Sequence, residues 1–200
     1  MAGHTFSMSD VRYILLATLV IFVLEAVAGG LRGARWRDFG VTALCFATNS
    51  AITRPLAGLA IASLAALALP HYAGACAEAP LWLTFAVTLL AMEFAFYWMH
   101  RWAHEGQRAG SRLSGLWKLH RTHHSATHLN VSITMRQNIF WAFVVPNSWI
   151  IGASIYLGAG EGAALALIVI YSWNLLTHTN WRWDAPLMRS KTFAPALRAF

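Results

Sequence analysis

Apolar and polar residues in this chain fall into blocks rather than into the alternation of strands or the one-sided stripes of amphipathic helices. A helix needs about 20 mostly apolar residues to cross a hydrocarbon core of about 30 Å. The first block, Tyr13 to Leu31, is interrupted only by Glu25. It is too long, and too poor in positive charge ahead of its apolar run, for a cleaved signal peptide. A basic gap from Arg32 to Asp38 follows. The block Phe39 to Leu69 contains Thr53-Arg54-Pro55. Proline removes a backbone donor and disfavours helix at Arg54, so a kink or half-in segment is predicted, then a helix from Pro55 to Leu69. The loop Pro70 to Pro80 contains no Lys or Arg, and Leu81 to Met99 is the next span, carrying Glu93. After a polar stretch from His100 to Asn138, the uncharged block Ile139 to Gly160 contains Pro146, and Gly162 to Thr177 forms the last apolar helix. These last two blocks read either as two spans or as a re-entrant hairpin.

Composition agrees with the blocks. Hydrophobic residues make up 58% of the 200, and charged residues 12%. Ordinary soluble domains carry about 25% charged residues. A soluble enzyme of this composition would expose large apolar patches to water. The net charge of +7 does not indicate nucleic acid, because no nucleic-acid motif accompanies it. Instead, 13 of the 15 Lys and Arg lie in three gaps, 31–38, 100–138 and 178–200. These gaps share one side if the helices alternate, and the positive-inside rule makes that side cytoplasmic. The high alanine content points to a bacterial plasma membrane. Two cysteines, Cys45 and Cys76, are too few for a disulfide scaffold or a Cys-ligated metal.

The chemistry lies in the histidines. His100 and His104 sit four residues apart where the Leu81 block ends, so both imidazoles share a helix face about 6 Å apart. His120, His123 and His124 form a second cluster, and His178 closes the last apolar helix. A lone histidine at a helix end is usually an interfacial polar residue. Six at one membrane face, with almost no carboxylate or thiolate nearby, suit iron, copper or zinc. His4 and His71 lie elsewhere and have no assigned role, while His128 is a candidate outer residue. The expected fold is an all-α integral membrane protein with about four to five transmembrane or re-entrant helices and a cytoplasmic, histidine-rich metal-binding cap. Residues 1–80 supply N-terminal membrane helices, and 81–200 carry the histidine region.

His100-Arg-Trp-Ala-His104 and His120-Arg-Thr-His-His124-Ser resemble the first two histidine boxes of the fatty acid hydroxylase and sterol desaturase superfamily. Glu93-Phe-Ala-Phe-Tyr97-Trp98-Met-His100-Arg101 is similar to its approach to the first box. Leu129 to Gln137, with Asn130 and Arg136-Gln137, has the form of the alkylglycerol-monooxygenase-like branch. Trp173-Asn174-Leu-Leu-Thr-His178-Thr-Asn180 resembles the helix that brings a further histidine to the site. The resemblance covers residues 85 to 200 and implies a membrane-bound non-haem di-iron oxygenase. Such an enzyme hydroxylates or desaturates a fatty acyl, sterol or alkyl-ether lipid with dioxygen, using two iron ions and electrons from an external donor, an acidic electron carrier or reductase. His100, His104, His120, His123, His124 and His178 are the implied metal ligands.

The superfamily has a further His-x2-His-His box that this sequence lacks, so a C-terminally truncated chain is expected. Glu93, Tyr97 and His100 share a helix face. Glu93 lies about 10.5 Å along the axis from His100, too far to bind the same ion, and its other reading is a hydrogen bond to a neighbouring helix. Asn174 faces the same way as His178 and is a candidate to hold a metal-bound water. Glu25 has no identified counterpart and reads as interfacial or helix-pairing. Two other classes compete: a metal-binding membrane scaffold, motivated by the missing box, and a metal transporter, which places its site nearer the bilayer midplane.

Overall fold

The computed structural model describes residues 8–181 and 184–195. His4, Arg182, Arg198 and the expected truncation point lie outside the described residues. Among the described residues there is no strand. Three helical stretches are long and apolar enough to cross a membrane: Trp36–Ala68, Leu81–Glu105 and Gly160–Thr177. Helix α1, Met8–Val27, adds a shorter apolar segment, Leu16–Val27.

The helix is not interrupted at Thr53-Arg54-Pro55, and the helix expected from Pro55 to Leu69 runs Arg54–Ala68. Helix α2 (Trp36–Thr48) passes through a π-helical turn at Asn49–Thr53 into α3 (Arg54–Ala68), and Arg54 keeps helical angles. Within a regular α-helix the ring of Pro55 would collide with the preceding turn. The wider turn, in which the Arg54 N–H bonds the Asn49 carbonyl, absorbs the ring without interrupting the helix. The side chain of Asn49 is buried there; it donates to the Cys45 carbonyl at 2.8 Å and to the Gln137 carbonyl at 3.0 Å.

The uncharged block Ile139–Gly160 is also not one span. It breaks into α6 (Trp141–Val144) and α7 (Pro146–Tyr156), joined at an extended Val145. Pro146 excludes the helical region at the residue before it and then starts α7, where its missing N–H costs nothing. The 11 residues of α7 extend about 17 Å, little more than half a bilayer core.

Between these pieces lie α4 (Leu81–Glu105), α5 (Ser114–His120) and two 3-10 turns, His123–Ser125 and Val131–Met135. Helix α8 (Gly160–Thr177) follows, then α9 (Ala185–Arg189). Helices α4 and α8 form the central pair, with α7 against both and α3 behind α7. Their core is Met92, Ala166 and Ile170, with Phe85, Leu89, Ile150, Ile151 and Leu167 packed around it. In a membrane such packing relies on close approach, which small residues allow. Gly162 provides it: a Cβ there would stand 2.3 Å from Thr84 Oγ1 and 2.6 Å from the Phe85 nitrogen.

One end of the bundle is closed by backbone bonds. Gly74 N–H donates to the Tyr156 carbonyl at 3.0 Å and Cys76 N–H to the Leu157 carbonyl at 2.7 Å. His71 is exposed in this same loop. The polar segments between α4 and α6 gather at the other end.

Candidate metal centre

Helix α4 continues past Met99 to Glu105, so its last turns carry both His100 and His104. Their Nε2 atoms are 3.1 Å apart. His120 ends α5, and His124 lies in the 3-10 turn after it; their Nε2 atoms are 2.9 Å apart. The ligand nitrogens of His100, His104, His120 and His124 all lie within 4.8 Å of one another. Two nitrogens on one ion, each about 2.1 Å from it, stand at most about 4.2 Å apart. A shift of a few tenths of an ångström therefore brings the widest pair into range, and the four imidazoles fit a single ion.

His123 and His178 form a second pair beside the first set. A carbonyl oxygen only accepts, so the Nδ1–H of His123 donates to the Ile133 carbonyl at 3.1 Å. By the same rule the Nδ1–H of His178 donates to the Asn174 carbonyl at 2.7 Å. In the neutral rings both Nε2 atoms then carry lone pairs, and they face each other at 3.0 Å. A shared cation relieves that opposition, so this pair too fits a metal. The ring centroid of His123 lies 5.5 Å from that of His120 and 5.1 Å from that of His124. The two sets adjoin.

The surroundings favour the neutral form of His120, His123, His124 and His178. Burial, followed by the neighbouring imidazoles, pushes His123 down to about 3 and His120 to about 2. Burial also lowers His178 and His124. A neutral imidazole is the form that binds metal, so no proton competes near pH 7. Aromatic rings support the four-histidine set. Phe96 stacks on His100 at 5.3 Å, Trp117 on His124 at 5.9 Å and the buried Trp141 on His120 at 5.0 Å. Phe96 precedes His100 by four residues, a helical spacing visible in the sequence, and Trp117 precedes His124 by seven. Trp141 carries no such local signal.

The other candidate residues stand apart from the imidazoles. Glu93 is exposed on α4 and makes no side-chain hydrogen bond among the described residues. Tyr97 is also exposed; its hydroxyl accepts from Arg101 Nη1 at 3.2 Å. The Asn174 side chain turns back to the Ile170 carbonyl at 3.0 Å, and it is the Asn174 backbone that holds His178. His128 bonds the Gly30 carbonyl at 2.8 Å.

Sequence reading assigned no role to the pair that fixes the connecting loop. Arg136 is buried and donates to Asp38 Oδ1 at 2.9 Å and to the Ser125 hydroxyl at 2.9 Å. Asp38 Oδ2 accepts from the Thr127 hydroxyl at 2.6 Å. The start of α2 thus anchors the segment that follows His124. Glu25, read as interfacial or helix-pairing, is wholly buried and bonded to the backbone of Val131 and Asn180.

No solved structure matches the chain. Alkylglycerol monooxygenase of Homo sapiens is 33% identical over 78 residues, which is 36% of this chain and 16% of that protein. The Xenopus tropicalis and Danio rerio proteins of the same name are each 34% identical over 80 residues, 38% of this chain and 16% of theirs. The aligned stretch therefore spans about one sixth of the curated relatives it matches. The model of the fatty acid hydroxylase family matches residues 85–197, more than half of the chain and all six converging histidines. The chain belongs to the fatty acid hydroxylase family, within the fatty acid hydroxylase and sterol desaturase superfamily.

Proposed function

We propose that this chain carries the metal centre of a membrane-bound oxygenase that hydroxylates or desaturates a lipid with dioxygen, and that the centre holds two iron ions. The observation that carries the reading is the convergence of six imidazoles into a set of four and an adjoining pair. A donor set made wholly of imidazole nitrogens, with no thiolate among them, would suit a redox ion such as iron. When bound, iron supplies the redox chemistry with dioxygen that amino-acid side chains lack.

His100, His104, His120 and His124 would hold one ion and His123 with His178 the other. The chain's own residues supply the rest. The carbonyls of Ile133 and Asn174 fix the tautomer of the second pair. Phe96, Trp117 and Trp141 keep water from the backs of the rings. Between α4 and the α6–α7 corner lies an open apolar groove of about 600 Å³, lined by Phe94, Trp98, Met99, Trp102, Val144 and Pro146 among others, which would face the lipid. The histidines lie at one end of the helices rather than midway along them, an arrangement that favours an enzyme over a metal transporter.

We place this end on the cytoplasmic side of a plasma membrane, as the Lys and Arg distribution implies. Arg108, Arg112, Lys118 and Arg121 are exposed around it, a charge pattern suited to an acidic electron carrier or reductase. The relatives named alkylglycerol monooxygenase favour an alkyl-ether lipid among the candidate substrates. The test is metal content, with lipid-dependent oxygen consumption, of iron-loaded protein in nanodiscs. About two irons per chain and oxygen uptake that requires lipid and reductant are expected. Protein that binds no iron, or that carries iron across vesicles without consuming oxygen, would overturn the assignment.

A further inference from the structure

We propose that Glu25 is a positioning residue for His123 and His178, so that the N-terminal helix controls how firmly the centre holds its second ion. The proposal rests on the two-ion reading above. Helix α1 lies outside the stretch matched by the family, so that match gives Glu25 no role.

Glu25 is 0% exposed near the end of α1. A buried carboxylate is costly unless its oxygens are hydrogen-bonded. Both of them are. Oε2 accepts from the Val131 N–H at 2.9 Å and Oε1 from the Asn180 N–H at 2.5 Å. The two donors belong to segments about fifty residues apart, and each segment governs one histidine of the pair. Val131 opens the turn whose Ile133 carbonyl fixes the His123 ring. Asn180 lies two residues beyond His178. One carboxylate therefore bridges the two backbones whose imidazoles face each other at 3.0 Å.

The surroundings of Glu25 are shaped for this bridge. A Cβ at Gly30 would stand 2.7 Å from Glu25 Cγ, so the chain folds over the carboxylate only where a side chain is missing. The Gly30 carbonyl then accepts from His128 Nε2 at 2.8 Å and from Asn180 Nδ2 at 3.3 Å, fastening the same two segments a second time. His128 therefore belongs to this clamp. Helix α1 packs on α8 and on the Val131–Met135 turn, whereas the four-histidine set is carried by α4, α5 and the turn after it. Loosening Glu25 should act on one pair and spare the other set.

The test compares wild type, Glu25→Gln, Glu25→Ala and His123→Ala in nanodiscs by cobalt(II) titration, following stoichiometry and ligand-field absorption. Glutamine keeps the shape but puts an NH2 group against one of the two N–H donors. Wild type is expected to take two cobalt ions. Both Glu25→Gln and His123→Ala should retain the first with affinity within about threefold; Glu25→Gln should weaken the second by at least about tenfold, the usual effect of losing an outer partner, and His123→Ala, which removes a ligand, should weaken it at least as much. Equal weakening of both ions, or an unchanged second ion, overturns the proposal. A second readout needs no metal: 15N spectra of histidine-labelled apoprotein, with the His123 signal identified by its loss in His123→Ala. The Nδ1–H form should dominate in wild type and give way to mixed tautomers in Glu25→Ala. A single cobalt in wild type refutes the two-ion reading. Glu25 is then judged on the spectra, and an unshifted His123 tautomer in both Glu25 variants overturns its positioning role.

Discussion

Replacing Asp38 with Asn isolates the buried ion pair that ties α2 to the loop after the second histidine cluster. The side chains of Arg136 and Asp38 are 6% and 15% exposed, and Nη1 lies 2.9 Å from Oδ1. The variant preserves shape and leaves a guanidinium buried without its counter-charge. Breaking a fully buried pair from one side costs about 3–5 kcal/mol, and Asp38, unlike Arg136, is part-exposed. We take the lower figure, since an Asn oxygen can still accept from Thr127 or Arg136. For a chain of this size, about 3 kcal/mol lowers the melting temperature by roughly 6–12 °C. Thermal unfolding in detergent would be measured for Asp38→Asn, Arg136→Met and the double variant. The double variant should be more stable than Asp38→Asn alone, because it leaves no unpaired charge. A loss below about 1 kcal/mol, the range of exposed pairs, would refute the reasoning. So would a double variant showing the sum of the two single losses.

Three further outcomes are expected. His120→Ala should remove most bound metal while the protein stays inserted in the membrane, whereas His71→Ala at the opposite end changes neither; metal analysis of membrane-extracted protein checks both. Trp141→Ala should destabilise by about 3–5 kcal/mol, as large core truncations do, and weaken metal binding through His120, while Trp141→Phe retains most of both; unfolding and cobalt titration separate the two effects. Metal-free protein should lose stability as pH falls. With His123 lowered to about 3 in the folded chain and near 6.5 when unfolded, the unfolded state binds more protons between those values. The contribution is complete above about 6.5 and is lost toward 3 at up to about 1.4 kcal/mol per pH unit for each such histidine; a pH series of melting curves without this slope refutes it.

Part of the histidine convergence was legible in the sequence, because spacing on a helix is local. His100 and His104 are one turn apart on α4, whereas His120 and His124 meet across the end of α5. Long apolar blocks likewise announce helices. The misread features depend on partners distant in sequence or on how a proline is accommodated. Glu25 read only as interfacial or helix-pairing because its two donors are 106 and 155 residues away. Pro55 and Pro146 differ in what the chain does with them. The first is absorbed by a π turn whose Asn49 bonds the Gln137 carbonyl, and the second ends α6 outright. Asp38 read only as the end of a basic gap, since nothing near it identifies Arg136 as its partner.

The contact of Gly162 with Thr84 makes the helical pair a length gauge. Sixteen residues separate Thr84 from His100, and sixteen separate Gly162 from His178. Both helices run from the contact toward the same end, so each histidine arrives about 24 Å further on. Level placement of imidazoles from two different helices thus follows from matched counts measured from one fixed point. Substitutions along either helix leave that match intact. A single insertion or deletion between contact and histidine does not: it moves one ring about 1.5 Å along the axis and turns it about 100° away from its partners. Variation in this family should therefore tolerate changes of residue within these two segments far more readily than changes of length.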